Sequence, residues 1–362
     1  MNKLIGLLSW RNWGMIRYNS VRQSLAVLFY IALIEQLFSF TFIAQVVVFF
    51  LFSTVMTAFG YLVNDLSDIE LDRAQGKRNA FQNTSRKQAL LILLAVLAVG
   101  SLLGFPFLSR PGFLLLWLVW VMAASLYSLP PLRLKERGLP GLLATVAAQQ
   151  TLPAALLFIV FGQLVSWGAL ILVAYATVRG FSSDISHQLR DRPTDSRANS
   201  GTFAVRHSPD RIRQVYAASL ELERLTLGLA MLLFLRQLPT VALPFMNWQV
   251  SIAWPLFLFF LPLFIITAGS SWKSVRNRDQ ELQDPYDEKR QAHVRDPLHV
   301  IHHPFPSVIT PLYLVLWMSF FYWPNLVFIL ILGLIYGLYS PRRWVEAWPL
   351  QPLLALLRAE RG

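Results

Sequence analysis

The chain has 362 residues, 55% of them hydrophobic and only 14% charged, with a mean hydropathy of +0.47; an ordinary soluble domain does not need that composition, so most of the chain is expected in lipid. Its 32 Lys and Arg against 20 Asp and Glu give a formal net charge of +12, which in a soluble protein suggests nucleic acid and in a membrane protein reports orientation by cytoplasmic basic residues. The lack of cysteine excludes disulfide scaffolds, thiolate metal sites, iron–sulfur clusters and cysteine nucleophiles.

Residues 1–22 carry Lys3, Arg11, Arg17 and Arg22 with no acid and no long apolar run, so they read as a cytoplasmic N-terminal segment, not a cleavable signal. A spanning helix needs roughly 20 mostly apolar residues. That criterion predicts spans near 23–38, 43–63, 88–105, 112–129, 141–161, 166–182, 214–235 and 250–269. Residues 23–270 thus form a transmembrane bundle, and 271–306 a cytoplasmic polar loop with helix-breaking Asp-Pro and His-Pro steps. Residues 307–340 are apolar but interrupted at Trp323-Pro324-Asn325. They read as one kinked helix or a tight hairpin, which leaves nine or ten segments. The remaining 341–362 read as an interfacial tail. With the N-terminus inside, Arg110 and Arg236 are the only basic residues in the predicted outer loops. The excess charge is therefore an orientation signal, with no nucleic-acid partner implied.

Two acidic clusters end even-numbered spans on that inner side. In the first, Asn64-Asp65-Leu66-Ser67-Asp68-Ile69-Glu70-Leu71-Asp72, the three aspartates are spaced i, i+3, i+7, which puts them on one face of a continuing helix. Such a face repels itself without a cation, and Mg²⁺ joining carboxylates to a substrate diphosphate is the simplest compensation. In the second, Asp184, Asp191 and Asp195 share a face if the helix persists past Pro193. The two sets at one bundle mouth suit two metal ions around a diphosphate.

These residues resemble the UbiA superfamily of intramembrane prenyltransferases. Asn64, Asp65, Asp68 and Asp72 match its Asn-Asp-x-x-Asp-x-x-x-Asp motif. Asp184, Asp191-Arg192 and Asp195 resemble the second motif of the 4-hydroxybenzoate polyprenyltransferase branch, and Tyr127-Ser128-Leu129-Pro130-Pro131-Leu132-Arg133-Leu134-Lys135 resembles the element after the fourth helix. The resemblance implies an all-α polytopic bundle of about nine spans around a central cavity open to lipid. It implies transfer of a polyprenyl group from its diphosphate to an aromatic or lipid-like acceptor, with Mg²⁺ as cofactor. On this reading Asn64, Asp68, Asp72, Asp191 and Asp195 bind metal and diphosphate, and Asp184 orients the acceptor or a metal-bound water. Lys77, Arg78, Arg133, Lys135 and Arg192 are candidate phosphate cations, and Tyr127 a hydrogen-bond donor.

The chain departs from the family after Asp72, where it reads Gly76-Lys77-Arg78-Asn79-Ala80-Phe81 in place of an Arg-Thr-x-x-Arg-Pro run, and in the first span, where Asn19-Ser20-Val21-Arg22-Gln23 replaces an Arg-x-Asp-Lys-Pro entry. The acceptor is therefore open. His187, between Asp184 and Asp191 on one face, is either a general base for the acceptor or a structural partner of Asp184. Glu221, Glu223 and Arg224 fall within the seventh span, where ionisable residues usually face the bundle interior or pair. His299, His302 and His303 beside Asp296 read as a solvated loop cluster or a metal site. Two other functions compete: phosphoribosyl or other diphosphate-sugar transfer to a polyprenyl phosphate on the same fold, and cation-coupled transport, against which the surface position of the acids argues.

Overall fold

The computed structural model describes residues 16, 19–74, 76–198, 200–242, 248–276, 284–286 and 296–335. The interfacial tail, most of the N-terminal segment and much of the polar loop lie outside the described residues. In chain order the helices are α1 (Leu25–Ile34), α2 (Phe40–Ser67), α3 (Ile69–Ala74), α4 (Arg86–Gly104), α5 (Phe113–Ser128), α6 (Leu139–Val146), α7 (Leu152–Phe161), α8 (Trp167–Arg197), α9 (Phe203–Arg206) and α10 (Pro209–Gln237). They are followed by the strands β1 (Thr240–Ala242) and β2 (Gln249–Ser251), and then by α11 (Trp254–Ile266), α12 (Lys273–Arg276), α13 (Pro297–His302), α14 (Thr310–Phe321) and α15 (Val327–Ile335). The all-α class expected from the sequence holds, apart from the two antiparallel strands in the loop predicted after the seventh span. Among the described residues four helical stretches, Phe40–Ser67, Arg86–Phe107, Leu139–Phe161 and Trp254–Trp272, are long and apolar enough to cross a membrane.

Contacts divide the chain into two units, residues 1–24 with 41–208 and residues 25–40 with 209–362. In the first unit the helix starts follow local chemistry. Ser85 caps α4 with a capping box to Gln88, and Ser166 accepts from the Ala169 N–H at the start of α8. Helices α6 and α7 join through a π turn over Ala147–Thr151, and the Trp120 indole donates to the Ala148 carbonyl at 2.6 Å. At Gly180 the backbone of α8 lies against this turn, where a Cβ would come within 2.5 Å of Gln150 Cγ. The core is aromatic, with Phe49, Phe52, Phe113 and Phe161 of α2, α5 and α7 meeting ring to ring with Phe107 of the 3₁₀ turn after α4. By contrast Leu91, Leu94 and Leu102 of α4 and Leu115 of α5 are more than half exposed, an apolar face suited to lipid.

In the second unit α1 is almost wholly buried. The C-terminal apolar stretch breaks at Tyr322, and a 3₁₀ turn over Trp323–Leu326 follows. Asn325 folds back to donate to the Met318 carbonyl at 3.0 Å. Phe321 stacks on Phe38, while Phe328 packs on Phe29. The chain therefore reverses, with α14 packed along α1 and α15 folding back against α14.

Candidate active site

The site residues named from the sequence that the structure describes all fall in the first unit. The first acidic motif straddles the end of α2 and the start of α3, with Asp68 at the junction. Its three aspartates do not share one environment. Asp65, fully buried, accepts from the Ala80 N–H at 2.9 Å. Asp72, also buried, accepts from Asn79 Nδ2 at 2.8 Å. Asp68 faces the Tyr127–Lys135 element: Arg133 Nη2 lies 3.0 Å from Oδ1 and Lys135 Nζ 2.5 Å from Oδ2. Lys135 also donates to Asn64 Oδ1 at 3.0 Å, and Ser128 Oγ reaches the same oxygen at 3.0 Å. The charge compensation inferred from spacing is thus supplied at Asp68 by two basic side chains. Burial pushes the Lys135 ammonium below the usual lysine range, while the Asp68 carboxylate opposes the shift.

Arg133 holds its backbone in the left-handed region, at φ 38°, a conformation that a non-glycine residue keeps only when its surroundings impose it. Here its N–H bonds the Leu129 carbonyl at 2.9 Å, and its guanidinium bridges Asp68 and Glu136, the latter at 2.6 Å.

The second motif lies on α8, which continues through Pro193 to Arg197. The missing N–H is tolerated because the final turn is closed by other bonds, Ala198 N–H to Thr194 O at 3.0 Å and Arg197 Nε to Pro193 O at 3.1 Å. Asp184, Asp191 and Asp195 therefore do fall on one helix face. Asp184 accepts from Gln188 Nε2 at 2.9 Å, and burial pushes its carboxyl up to about 6 although the His187 charge pulls the other way. His187 Nε2 itself lies 3.6 Å from Asp191 Oδ2, so its ion-pair partner is Asp191, not Asp184. Asp195 accepts from Thr202 Oγ1 at 3.2 Å. Burial raises its carboxyl and the Lys77 charge counteracts this, so the first-motif loop reaches the second motif electrostatically. Tyr127 lies within electrostatic reach of both Asp68 and Asp184.

The loop after the second motif is tied to the chain just beyond Lys135, the residue that bonds Asn64 and Asp68 of the first motif. Gly138 N–H donates to Gly201 O at 3.0 Å, and Arg206 bonds Glu136 O and Gly201 O, each at 2.9 Å. The approach is so close that a Cβ on Gly201 would lie 2.2 Å from Glu136 O. The other three candidate cations are placed differently. Arg192 donates to the carbonyls of Ala204 and His207 at 3.0 and 3.2 Å, a strut from α8 to α9. Lys77 and Arg78 are exposed.

In the second unit the expectation of a solvated histidine cluster fails, because Pro297–His302 is a helix with His302 buried. His302 Nδ1 is 3.2 Å from Glu223 Oε1, and Tyr286 OH donates to that oxygen at 2.6 Å. Glu221 and Arg224 pair at 2.8 Å. Among the described residues no three His, Asp or Glu side chains are placed to hold a metal.

A hard cation nonetheless fits the first motif on its donor chemistry. Asn64 Oδ1, Asp68 and Asp72 offer oxygen alone, and the ammonium of Lys135 marks where positive charge settles between Asn64 and Asp68. Sequence reasoning did not find Asn79, Gln188, Ser128 or Thr202, neutral residues without a charge pattern. Only the opening Asn79 makes in the family's usual run pointed to one of them.

A family model described as the UbiA prenyltransferase family matches residues 24–285. Among curated proteins, none matches the chain. A UbiA homologue from Archaeoglobus fulgidus solved with DMAPP and Mg²⁺ is similar with a TM-score of 0.56 and 15% identity, covering 83% of this chain and 96% of its own. With GPP and Mg²⁺ it gives 0.54 and 17%, covering 84% and 99%. A structure concerning digeranylgeranylglyceryl phosphate synthase in membranes gives 0.59 and 12%, covering 84% and 98%. At these identities the likeness establishes the fold.

Proposed function

Because the chain belongs to the UbiA prenyltransferase family, a family of membrane-embedded transferases, we propose that it moves a polyprenyl group from its diphosphate to an aromatic or lipid-like acceptor, with Mg²⁺ at the two aspartate motifs. The observation that carries the reading is the junction of Asn64 and Asp68 with Arg133 and Lys135 beside the second motif. Similar structures hold DMAPP or GPP with Mg²⁺, ligands of the kind this arrangement of acids and bases suits.

Asn64, Asp68, Asp72, Asp191 and Asp195 would hold the metal ions. When bound, these neutralise the charge that develops on the leaving diphosphate. Lys135 and Arg133, which bond Asp68, and Lys77 and Arg78 of the loop would supply positive charge to the diphosphate oxygens. The allylic C–O bond breaks with its electron pair leaving on the diphosphate. The acceptor nucleophile forms the new bond to the allylic carbon, and its proton passes to Asp184, which Gln188 holds in place. Buried aromatic rings keep water from the cation. Arg192 acts as a strut between α8 and α9. The motifs and the N-terminus face the cytoplasm on this reading, which the skewed distribution of Lys and Arg supports.

Purified protein in Mg²⁺ given a panel of prenyl diphosphates should release pyrophosphate. Asp68→Ala and Asp191→Ala should each lower release by about 100-fold or more. No release with any prenyl donor, or undiminished release by both variants, overturns the proposal. Phosphoribosyl diphosphate in the panel reports the sugar-transfer alternative.

A further inference from the structure

Asn79 stands in the loop where the chain departs from the run that its family resemblance leads one to expect. Its carboxamide makes three bonds: Nδ2 donates to the Asp65 carbonyl at 2.7 Å and to Asp72 Oδ2 at 2.8 Å, while Oδ1 accepts from the Phe81 N–H at 2.9 Å. These partners force the orientation of the amide, since only nitrogen can face a carbonyl and a carboxylate. Asn79 is buried, and Phe81 beside it, 1% exposed, anchors the loop. The Ala80 N–H fixes Asp65 in the same way, so residues 79 and 80 grip the first motif from behind.

A carboxylate binds a cation best when its torsion is set beforehand by a hydrogen-bond partner. A basic residue on Asp72 would neutralise it and an acidic one would repel it. An amide orients it and leaves its charge intact. We infer that Asn79 is the positioning residue of Asp72, holding that carboxylate for a divalent cation; this rests on the proposed assignment of Asp72 to the Mg²⁺–diphosphate site. The neutral donor takes a place where the aromatic-substrate branches carry a different run, so this chain orients the last aspartate of its first motif through its own loop.

The test is thermal melting of the full-length protein in detergent, titrated with MgCl₂ at fixed inorganic pyrophosphate. The wild type should be stabilised by the two together. Asn79→Ala and Asn79→Asp should need about tenfold or more Mg²⁺ for half the stabilisation, and melting without metal reports folding separately. The exchange Asp72→Asn with Asn79→Asp keeps a hydrogen bond with donor and acceptor swapped, and should not recover the wild-type midpoint. A wild type that shows no joint stabilisation overturns the Mg²⁺–diphosphate assignment and the inference with it. A wild-type midpoint in either single variant, or its recovery by the exchange, overturns the inference alone, leaving the site assignment standing.

Discussion

Asp184 carries a measurable cost for being where it is. Its carboxyl is pushed up to about 6 by burial, above the value near 3.9 of an unfolded chain. The folded protein therefore holds this proton more tightly than the unfolded one. Its contribution to stability is full below about pH 4 and is lost as pH rises through 6, a change of up to about 3 kcal/mol. Thermal melts should show Asp184→Asn gaining on the wild type as pH rises from about 4 to 6, with a constant gap above. A gap that does not change with pH would show that Asp184 is not enclosed. That carboxyls would cluster here was legible from spacing, but their separate roles were not. Asp65 and Asp68 are three residues apart, yet one is held by the Ala80 N–H and the other by Lys135, partners 15 and 67 residues distant.

At the scale of elements, apolar run length located the helices, because a lipid-facing helix needs a long apolar run and little else. What it missed are breaks and continuations. Pro193 argued for a helix end, but α8 continues since other bonds close its last turn. The polar loop was read as solvated, but α13 buries His302 on Glu223, a pairing of residues 79 apart that no local pattern encodes. Docking of the second-motif loop on residues 134–138 depends on Gly201 for the same non-local reason. Gly201→Ala should lower stability by about 1–3 kcal/mol through the clash with Glu136 O, and lower pyrophosphate release with it. Gly333→Ala, where a Cβ meets nothing within 4 Å, is the control and should melt as the wild type does. Equal melting of the two variants would mean that the loops separate without cost.

For the whole molecule, the composition carried most of the fold. The hydrophobic excess pointed to a lipid-embedded chain, and its family is a membrane-embedded one. Charge type and spacing also pointed to the two acidic clusters on which the proposed site rests. The junction of the second-motif loop with the chain beyond Lys135 was not legible, because a backbone bond between Gly138 and Gly201 makes it. If that junction makes one diphosphate site, residues from the two motifs act as a unit, and their losses do not add. The most direct measurement is a double-mutant cycle on pyrophosphate release between Asp68→Ala and Asp191→Ala. The double variant should be little worse than the more impaired single one; losses that multiply would contradict a single site built from both motifs.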